Sequence, residues 1–386
     1  MDKYNKKTAF QKWFSAINFK ELSKEAQNTI KNFDYYHKKL DFETTLKVLL
    51  HAVYEELPSY REITRGFLDK GLCQEVGIDS LSHSSLSRRG TEMKTEVLME
   101  IFLNLVKKVS AQRPSSKTSS LQLIDSTTIP LNKTWFPWAK FRQTKSGIKL
   151  HLNLCYLDKD NQYPERFTIT NAEEHDRNQF ECLINKSEAT YVVDRGYFDY
   201  KLLDRLHQDG YFFVTRTKSN TRITVLDQFS VEQPQISDGK IVSDQQVILG
   251  GGVGYVTERF RLVTLVTNGQ KILRLVTNRF DVSANEVADM YQARWQIELF
   301  FKHLKQNLTI KQLYSKSEQG AVNQVILTLI ATLLTYLVKI ELNTKASLFQ
   351  LKRAFLSFFC YLYNKNSFEI CVKKREVQRK RDRHHS

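Results

Sequence analysis

Apolar residues recur at helical spacing through the first part of the chain, and glycine is scarce there. Residues 1 to about 110 therefore predict an almost entirely helical region. A capping box at Ser59–Glu62 marks the start of one helix. Another helix is predicted within residues 77–93, where small hydroxyl residues surround two leucines.

The pattern changes after residues 110–120, which lack apolar periodicity and are predicted to be a linker. Alternating apolar positions then predict a series of strands. The first predicted strand begins at residue 121 and has Asp125 at the end of its alternating run, and further strands are predicted at 147–157, 166–170, 191–193 and 211–215. Helices are predicted at 172–184 and from about 199. This order predicts an α/β domain whose mixed sheet is surrounded by helices.

Short β-like runs separated by turns fill residues 218–282 and predict a β-rich insertion. A capping box of Ser283 and Glu286 then begins a helix that is predicted to reach Leu308. Further helices follow to about residue 363, and a basic tail ends the chain. The predicted domains are a helical one at 1–112, an α/β one at 118–310, and C-terminal helices with the tail at 311–386.

The helix that begins at Ser283 carries a polar stripe. At about 100° per residue, Tyr291, Arg294, Glu298 and Lys305 lie within roughly 60° of one another, beside an apolar face. A carboxylate beside a phenol, a guanidinium and an ammonium group suits a phosphate-bearing substrate next to a metal ion. The alternative is an ordinary amphipathic helix in which Glu298 and Lys305 are solvated.

Charge points to a polyanionic partner, because 58 Lys and Arg residues against 42 Asp and Glu residues give a formal net charge of +16. A membrane is not expected, since the start lacks the apolar run of a signal peptide. The most apolar stretch, residues 325–338, is short and interrupted by threonines, which predicts a core helix of a cytoplasmic protein. The 5 scattered cysteines predict neither a disulfide framework nor a zinc site.

Three acidic residues are candidates for chemistry. Asp125 and Asp194 are predicted at strand ends, which face the crevice where open α/β sheets bind ligands, and Glu298 lies on a helix expected to pack against that sheet. Three carboxylates without His or Cys make an oxygen-only site that suits two Mg²⁺ or Mn²⁺ ions and phosphodiester transfer. Alternatively, Asp194 caps a turn and Asp125 accepts bonds from its neighbours.

Two other patterns are interpreted as structural. His175 and Asp176 begin a predicted helix, where polar and acidic groups commonly cap. The glycine-rich segment 249–254 is not followed by G-K-[ST] and predicts a β turn or flexible tip rather than a phosphate loop.

Residues 77–93 also have the composition of a helix-turn-helix recognition helix. Ser82 and Ser85 would be short donors to base edges and phosphates, and Arg88 and Arg89 would contact the DNA backbone. The alternative is a serine-rich surface helix in a helical bundle.

The order of the acidic motifs resembles that of a known family. A strand with Asp125, VVDRGY with Asp194, a β insertion and then Y-x2-R-W-x-I-E-x-F-F-K-x-L-K-Q-N resemble the DDE transposases of bacterial insertion sequences with the YREK signature. The resemblance covers about residues 118–310. It implies an RNase H-like fold, two divalent metal ions on Asp125, Asp194 and Glu298, and cut-and-paste DNA transposition.

The same resemblance implies partners and further roles. Tyr291, Arg294 and Lys305 would hold phosphates of the element end, and the N-terminal helices would bind the terminal inverted repeats. A homodimer would form the synaptic complex with target DNA, in a nucleoid-associated bacterial protein.

The chain departs from some relatives that use a tryptophan of the insertion to hold a flipped base, because none of its 4 tryptophans lies there. Tyr255 or Phe260 is the expected substitute. Two other functions stay open from the sequence: a DNA-binding protein without catalysis, and an RNase H-like nuclease without strand transfer.

Overall fold

The computed structural model describes residues 7–37, 39–66, 70–112, 120–142, 145–251, 254–307, 312–358 and 361. Most of the predicted linker, the end of the predicted helix at Leu308 and the basic tail lie outside these residues.

The helices follow the chain order. They are α1 (Ala9–Phe14), α2 (Lys24–Asp34), α3 (Phe42–Tyr54), α4 (Tyr60–Gly66), α5 (Lys70–Val76), α6 (His83–Glu92), α7 (Thr95–Ala111), α8 (Asp176–Leu183), α9 (Tyr200–Gln208), α10 (Ala284–Ala293), α11 (Trp295–Asn307), α12 (Glu318–Leu342) and α13 (Leu348–Phe358). The strands are β1 (Leu121–Leu131), β2 (Lys140–Arg142), β3 (Lys145–Asp158), β4 (Asn161–Asn171), β5 (Thr190–Val193), β6 (Phe212–Arg216), β7 (Ile223–Gln228), β8 (Gln235–Ile236), β9 (Gly239–Gly251), β10 (Gly254–Tyr255), β11 (Phe260–Thr267) and β12 (Ile272–Thr277).

The chain forms two compact units. The helical unit consists of Met1–Pro114, Ile129–Gly147 and Lys302–Ser386, and the sheet unit consists of Ser115–Thr128 and Ile148–Phe301. The sequence alone placed the N-terminal and C-terminal helices in separate domains, whereas their contacts unite them in one unit.

The centre of the helical unit is α12, which packs against α7 and α3. Among the described residues it is the one helix long and apolar enough to cross a membrane, and 89% of its apolar window is buried inside the protein. Thr328, Thr332 and Thr335 each donate a hydrogen bond to a carbonyl four residues back. Because their hydroxyls are satisfied within the helix, the threonines can be buried. The core helix predicted at residues 325–338 is confirmed.

The sheet unit is built on the strand order β4-β3-β1-β5-β6. β1, β5 and β6 are parallel neighbours, and β4 pairs antiparallel with β3. This order is that of an RNase H-like sheet, and the predicted mixed α/β architecture is confirmed. Buried residues of β1, β5, α8 and α9 form one core cluster that includes Ile124, Tyr191, Phe180 and Leu203.

The β-rich insertion extends the same sheet. β12 pairs antiparallel with β6, β11 with β12, and β9 with β11. The insertion therefore covers the edge that β6 would otherwise expose. Near the end of β9, Gly250 has φ +93°, and a Cβ there would meet the Gly254 carbonyl oxygen at 2.3 Å, so this position requires glycine.

The predicted helix from Ser283 is divided at Arg294. The capping box of Ser283 and Glu286 is present and begins α10. The Arg294 N–H bonds to the Tyr291 carbonyl, and the Ile297 N–H bonds to the Arg294 carbonyl, so both bonds span three residues rather than four. The prediction of one regular helix is therefore wrong at this turn, which is locally tightened as in a 3₁₀ helix.

Candidate active site

Asp125 and Asp194 lie next to each other on two parallel strands. The paired register of β1 and β5 ends with Ile124 opposite Val193. The residue that follows each of these two is an aspartate, and neighbouring strands are about 4.8 Å apart. The prediction of a strand end is confirmed for Asp194, which follows β5 directly. It is wrong for Asp125, because β1 continues to Leu131.

Glu298 is connected to Asp125 through Arg294. Arg294 Nη2 donates a hydrogen bond to Glu298 Oε1 at 2.7 Å, and Arg294 Nη1 lies 3.5 Å from Asp125 Oδ2. The guanidinium therefore contacts one carboxylate from the sheet and one from the helix. This arrangement brings Asp125 together with two residues, Arg294 and Glu298, that lie far from it in sequence.

The carboxyl of Asp125 is in an unfavourable place for a negative charge. Its pKa is raised to about 6, mainly by burial and also by the neighbouring carboxylates of Asp194 and Glu298, while the Ser126 N–H and the Arg294 guanidinium act in the opposite direction. A nearby cation stabilises the ionised form of a carboxylate that is otherwise costly to ionise. The electrostatics of this position therefore favour cation binding.

Tyr291 and Lys305 occupy different parts of the predicted stripe. The Arg294 guanidinium lies 5.9 Å from the centre of the Tyr291 ring. Burial raises the pKa of the Tyr291 phenol above its ordinary value of 10.0, so the phenol stays protonated and can donate a hydrogen bond. Lys305 is half-buried on α11, about two turns beyond Glu298.

The side chains present fit a divalent metal ion by chemistry, since Asp125, Asp194 and Glu298 offer only oxygen donors. Within the described part of the chain, no group of three His, Cys, Asp or Glu side chains is close enough to hold one ion. Arg294 contacts two of the three carboxylates in their present positions.

A polar network lies beside Asp125, and of its contacts the sequence indicated only the bond that Asp125 accepts from Ser126, as the alternative to metal binding. Ser126 donates its backbone N–H to Asp125 Oδ1 at 2.8 Å and its hydroxyl to Asp176 Oδ1 at 2.7 Å. Lys149 Nζ and His151 Nδ1 lie 3.3 and 3.5 Å from the same Asp176 oxygen. His175 occupies the N-cap position and Asp176 lies in the first turn of α8, so the predicted start of a helix at this pair is confirmed, although the His175 side chain makes no cap bond. The sequence signal for the rest of this network is limited to Asp176, an acid at the start of the helix that follows the β3–β4 hairpin.

The predicted recognition helix exists as α6, but its arginines differ. Ser82 is the N-cap and its hydroxyl accepts the Ser85 N–H. Arg88 is exposed. Arg89 is 3% exposed and donates to the carbonyls of Phe33 and Leu40 and to Glu92, with its guanidinium 3.2 Å from the Phe33 ring centre. The expected contact of Arg89 with DNA is therefore corrected, because its donors are used inside the helical unit.

The two aromatic candidates of the insertion also differ. Phe260 is fully buried and packs against Phe213, so it offers no face to a nucleotide base. Tyr255 is 58% exposed on β10. Of the two expected substitutes for a stacking tryptophan, Tyr255 alone is placed to serve.

Comparisons with known proteins identify the family of the chain. The family model described as "Transposase DDE domain" matches residues 116–334. A probable transposase for insertion sequence element IS5377 of Geobacillus stearothermophilus is 29% identical over 287 residues, which cover 73% of this chain and 74% of that protein. The candidate transposase y4zB of Sinorhizobium fredii is 31% identical over 62% of this chain and 65% of its own length.

Among solved structures, the cryo-EM structure of the piggyBac transposase synaptic complex with hairpin DNA matches 95% of this chain and 80% of that chain, with a TM-score of 0.48 and 12% identity. A likeness at that level carries no inference about function. The family match includes the segments that carry Asp125, Asp194 and Glu298. The chain therefore belongs to the family of transposases with a DDE domain.

Proposed function

We propose that the chain is a cut-and-paste DNA transposase of a bacterial insertion sequence. In the first step, water attacks a phosphodiester at the element end, and the bond to the 3′ oxygen breaks to leave a 3′-hydroxyl. In the second step, that hydroxyl attacks a phosphodiester of target DNA and displaces the target's own 3′ oxygen. The observation that carries the proposal is that Asp125 and Asp194 directly follow the last paired residues of β1 and β5, with Glu298 linked to Asp125 by Arg294.

Membership of the family implies use of a divalent metal ion. Two Mg²⁺ or Mn²⁺ ions held by Asp125, Asp194 and Glu298 would activate the attacking oxygen and stabilise the leaving oxygen. Arg294 can hold a phosphate through two parallel N–H bonds, and the protonated Tyr291 can donate a third bond. Lys305 adds a positive charge farther along α11. These three residues are proposed to complete the YREK signature with Glu298.

Glu298→Gln tests the catalytic assignment. The change removes one negative metal ligand with almost no change in shape, and we expect cleavage of a DNA substrate carrying the element end to fall by about a thousandfold or more. Binding of the same DNA should change little. The assay is gel analysis of nicked product in Mn²⁺.

The matched control is Glu181→Gln, an exposed acid on α8 that pairs with Arg205. It should cleave like the wild type. Wild-type cleavage by Glu298→Gln would reject the assignment, and cleavage without joined products from a pre-cut end would favour a nuclease without strand transfer.

Binding of the terminal inverted repeats is proposed for the exposed face of α6. This face is open to solvent and displays His83, Ser84, Ser87, Arg88 and Thr91. Short hydroxyl donors and one arginine are suited to phosphates and base edges in a groove. The proposal keeps Ser82 and Ser85 at the start of the helix. The contact with the DNA backbone that was expected of Arg89 is assigned to the exposed residues of α6, Arg88 among them.

Arg88→Ala tests this face. Loss of one phosphate contact should weaken duplex binding several-fold and lower the slope of log affinity against log salt by about 1. Filter binding over a salt series provides both numbers. Arg166→Ala, which removes a charge from the surface of the sheet unit, is the control. An unchanged salt slope in Arg88→Ala would place the DNA elsewhere.

Family membership also makes a homodimer in the synaptic complex and action in the bacterial cytoplasm part of the proposal. Imperfect inverted repeats just outside the reading frame, bounded by short direct repeats, would support the mobile-element assignment without any purified protein.

A further inference from the structure

Arg294 occupies an unusual place for a residue that is to bind a DNA phosphate. One nitrogen of its guanidinium donates to Glu298 at 2.7 Å, and the other terminal nitrogen lies 3.5 Å from Asp125. Both acids are proposed metal ligands. Without DNA, the positive charge of Arg294 is therefore shared by two carboxylates that a metal ion would also need.

The charge balance of the site explains this position. The carboxylates of Asp125 and Glu298 carry like charges and lie 3.5 and 2.7 Å from the same guanidinium, so they repel one another. A cation between carboxylates offsets that repulsion. The guanidinium has this effect here, and it opposes the approach of any second cation to the same oxygens.

Arg294 is also placed so that it could leave. Its side chain is 16% exposed, so solvent and a DNA backbone can reach it. It lies at the tightened turn between α10 and α11, where the regular helical bonding is interrupted. A phosphate offers the guanidinium the same forked bonding that a carboxylate offers.

We propose that Arg294 is a positioning residue that acts as an internal counter-cation, which holds Asp125 and Glu298 in the absence of DNA and releases them for metal when a DNA phosphate takes its guanidinium. This inference rests on the proposed function, which makes both acids metal ligands. Metal and DNA then bind cooperatively, and by linkage each raises the affinity for the other by the same factor.

The test is direct measurement of Mn²⁺ binding to the full chain by the electron paramagnetic resonance signal of free Mn²⁺, with and without a short random-sequence DNA duplex. Without DNA, Arg294→Gln should bind Mn²⁺ at least about tenfold more tightly than the wild type, because a unit positive charge is removed beside the ligands. The duplex should tighten Mn²⁺ binding to the wild type much more than to the variant.

Two further variants control this measurement. Arg205→Gln removes a surface arginine that pairs with Glu181 on α8, and it should leave Mn²⁺ affinity unchanged. Arg294→Lys keeps the charge without the planar fork, and it should bind Mn²⁺ within about threefold of the wild type. The lysine variant gives the comparison of charge if the glutamine variant does not fold.

Several outcomes would overturn the inference. Equal or weaker Mn²⁺ binding by Arg294→Gln overturns it while leaving the proposed function intact, and so does tightening of Mn²⁺ binding by at least tenfold in Arg294→Lys. An equal effect of the duplex on the wild type and Arg294→Gln overturns the coupling. Failure of all the proteins to bind Mn²⁺, with or without the duplex, overturns both the inference and the metal-dependent function.

Discussion

Two arginines of the sheet unit form ion pairs in different ways. In the insertion, Arg261 and Asp244 are 8% and 2% exposed, and two guanidinium nitrogens bond both carboxylate oxygens at 2.8 and 2.6 Å. At the candidate active site, Arg294, Asp125 and Glu298 are 16%, 21% and 35% exposed, and one guanidinium contacts two acids. The Arg261–Asp244 pair is fully hydrogen-bonded and shielded from solvent. The Arg294 group is partly exposed, and its single guanidinium faces two carboxylates.

The difference separates a structural ion pair from a site that can exchange partners. Arg261 also donates to the Arg279 and Val282 carbonyls, so its donors are used where the insertion joins α10. Arg294 is held by carboxylates that have other potential partners. A fully bonded buried pair resists replacement, while a shared and half-exposed one can give way to a ligand.

The largest expected effect that tests this comparison is on stability. Arg261→Met leaves Asp244 buried without its partner, and we expect the free energy of unfolding to fall by about 3–5 kcal/mol. Arg294→Met should cost about 1 kcal/mol or less, because water can solvate the acids it leaves. Urea unfolding followed by circular dichroism measures both.

The double variant Arg261→Met with Asp244→Leu should recover much of the loss, since no buried charge then remains unpaired. An Arg294→Met variant that loses as much stability as Arg261→Met would remove the distinction between the two regions.

An intermediate effect concerns pH. In the metal-free protein the pKa of Asp125 is raised from 3.8 to about 6, first by burial and then by Asp194 and Glu298. The folded state therefore favours the protonated acid, and the contribution of this group to stability falls as the pH rises from about 4 to 6. Asp125→Asn should be more stable than the wild type by up to about 3 kcal/mol above pH 6.

That advantage should shrink as the pH falls towards 4 and disappear below the unfolded-state pKa of 3.8, where both states of the wild type bind the proton. Thermal unfolding in EDTA across this pH range is the measurement. A constant difference between the two proteins from pH 4 to pH 8 would contradict the assigned environment of Asp125.

The smallest effect is expected at Asp176. Asp176→Asn keeps an acceptor for Ser126 but loses the charge beside Lys149, and we expect a loss of stability of about 1 kcal/mol. Because Ser126 holds Asp125 through its N–H, the Mn²⁺ concentration needed for cleavage should also rise a few-fold. Glu181→Gln on the same helix is the control and should change neither quantity.

The outcome at Asp176 sharpens the comparison between the two regions. A rise in the Mn²⁺ concentration needed for cleavage would assign this network to the candidate active site. A change in stability alone would make it a structural feature like the Arg261–Asp244 pair.

Local pattern was sufficient for much of the sheet unit. Alternating apolar positions predicted β1, β3, β4, β5 and β6 because each strand buries residues from its own sequence. The capping box of Ser283 and Glu286 likewise fixed the start of α10, since both partners lie within one turn. The motif order also indicated Asp125, Asp194 and Glu298 together.

Other features depend on contacts between distant segments, which a local pattern does not contain. The burial of Arg89 depends on carbonyls of Phe33 and Leu40, and the sequence of α6 alone made it equivalent to the exposed Arg88. The union of the N-terminal and C-terminal helices depends on the packing of α12 against α3 and α7.

The sequence by itself therefore determined the family, the order of the elements and the acids that carry the proposed chemistry, because each of these is encoded in residue type and short spacing. Only the tertiary structure decided that Asp125 and Asp194 follow paired residues of neighbouring strands, that Arg294 contacts both Asp125 and Glu298, and that Asp176 accepts a bond from Ser126. The physical reason is that electrostatic and hydrogen-bond interactions act over a few ångströms, and the chain brings these groups within that range only after its strands and helices have packed.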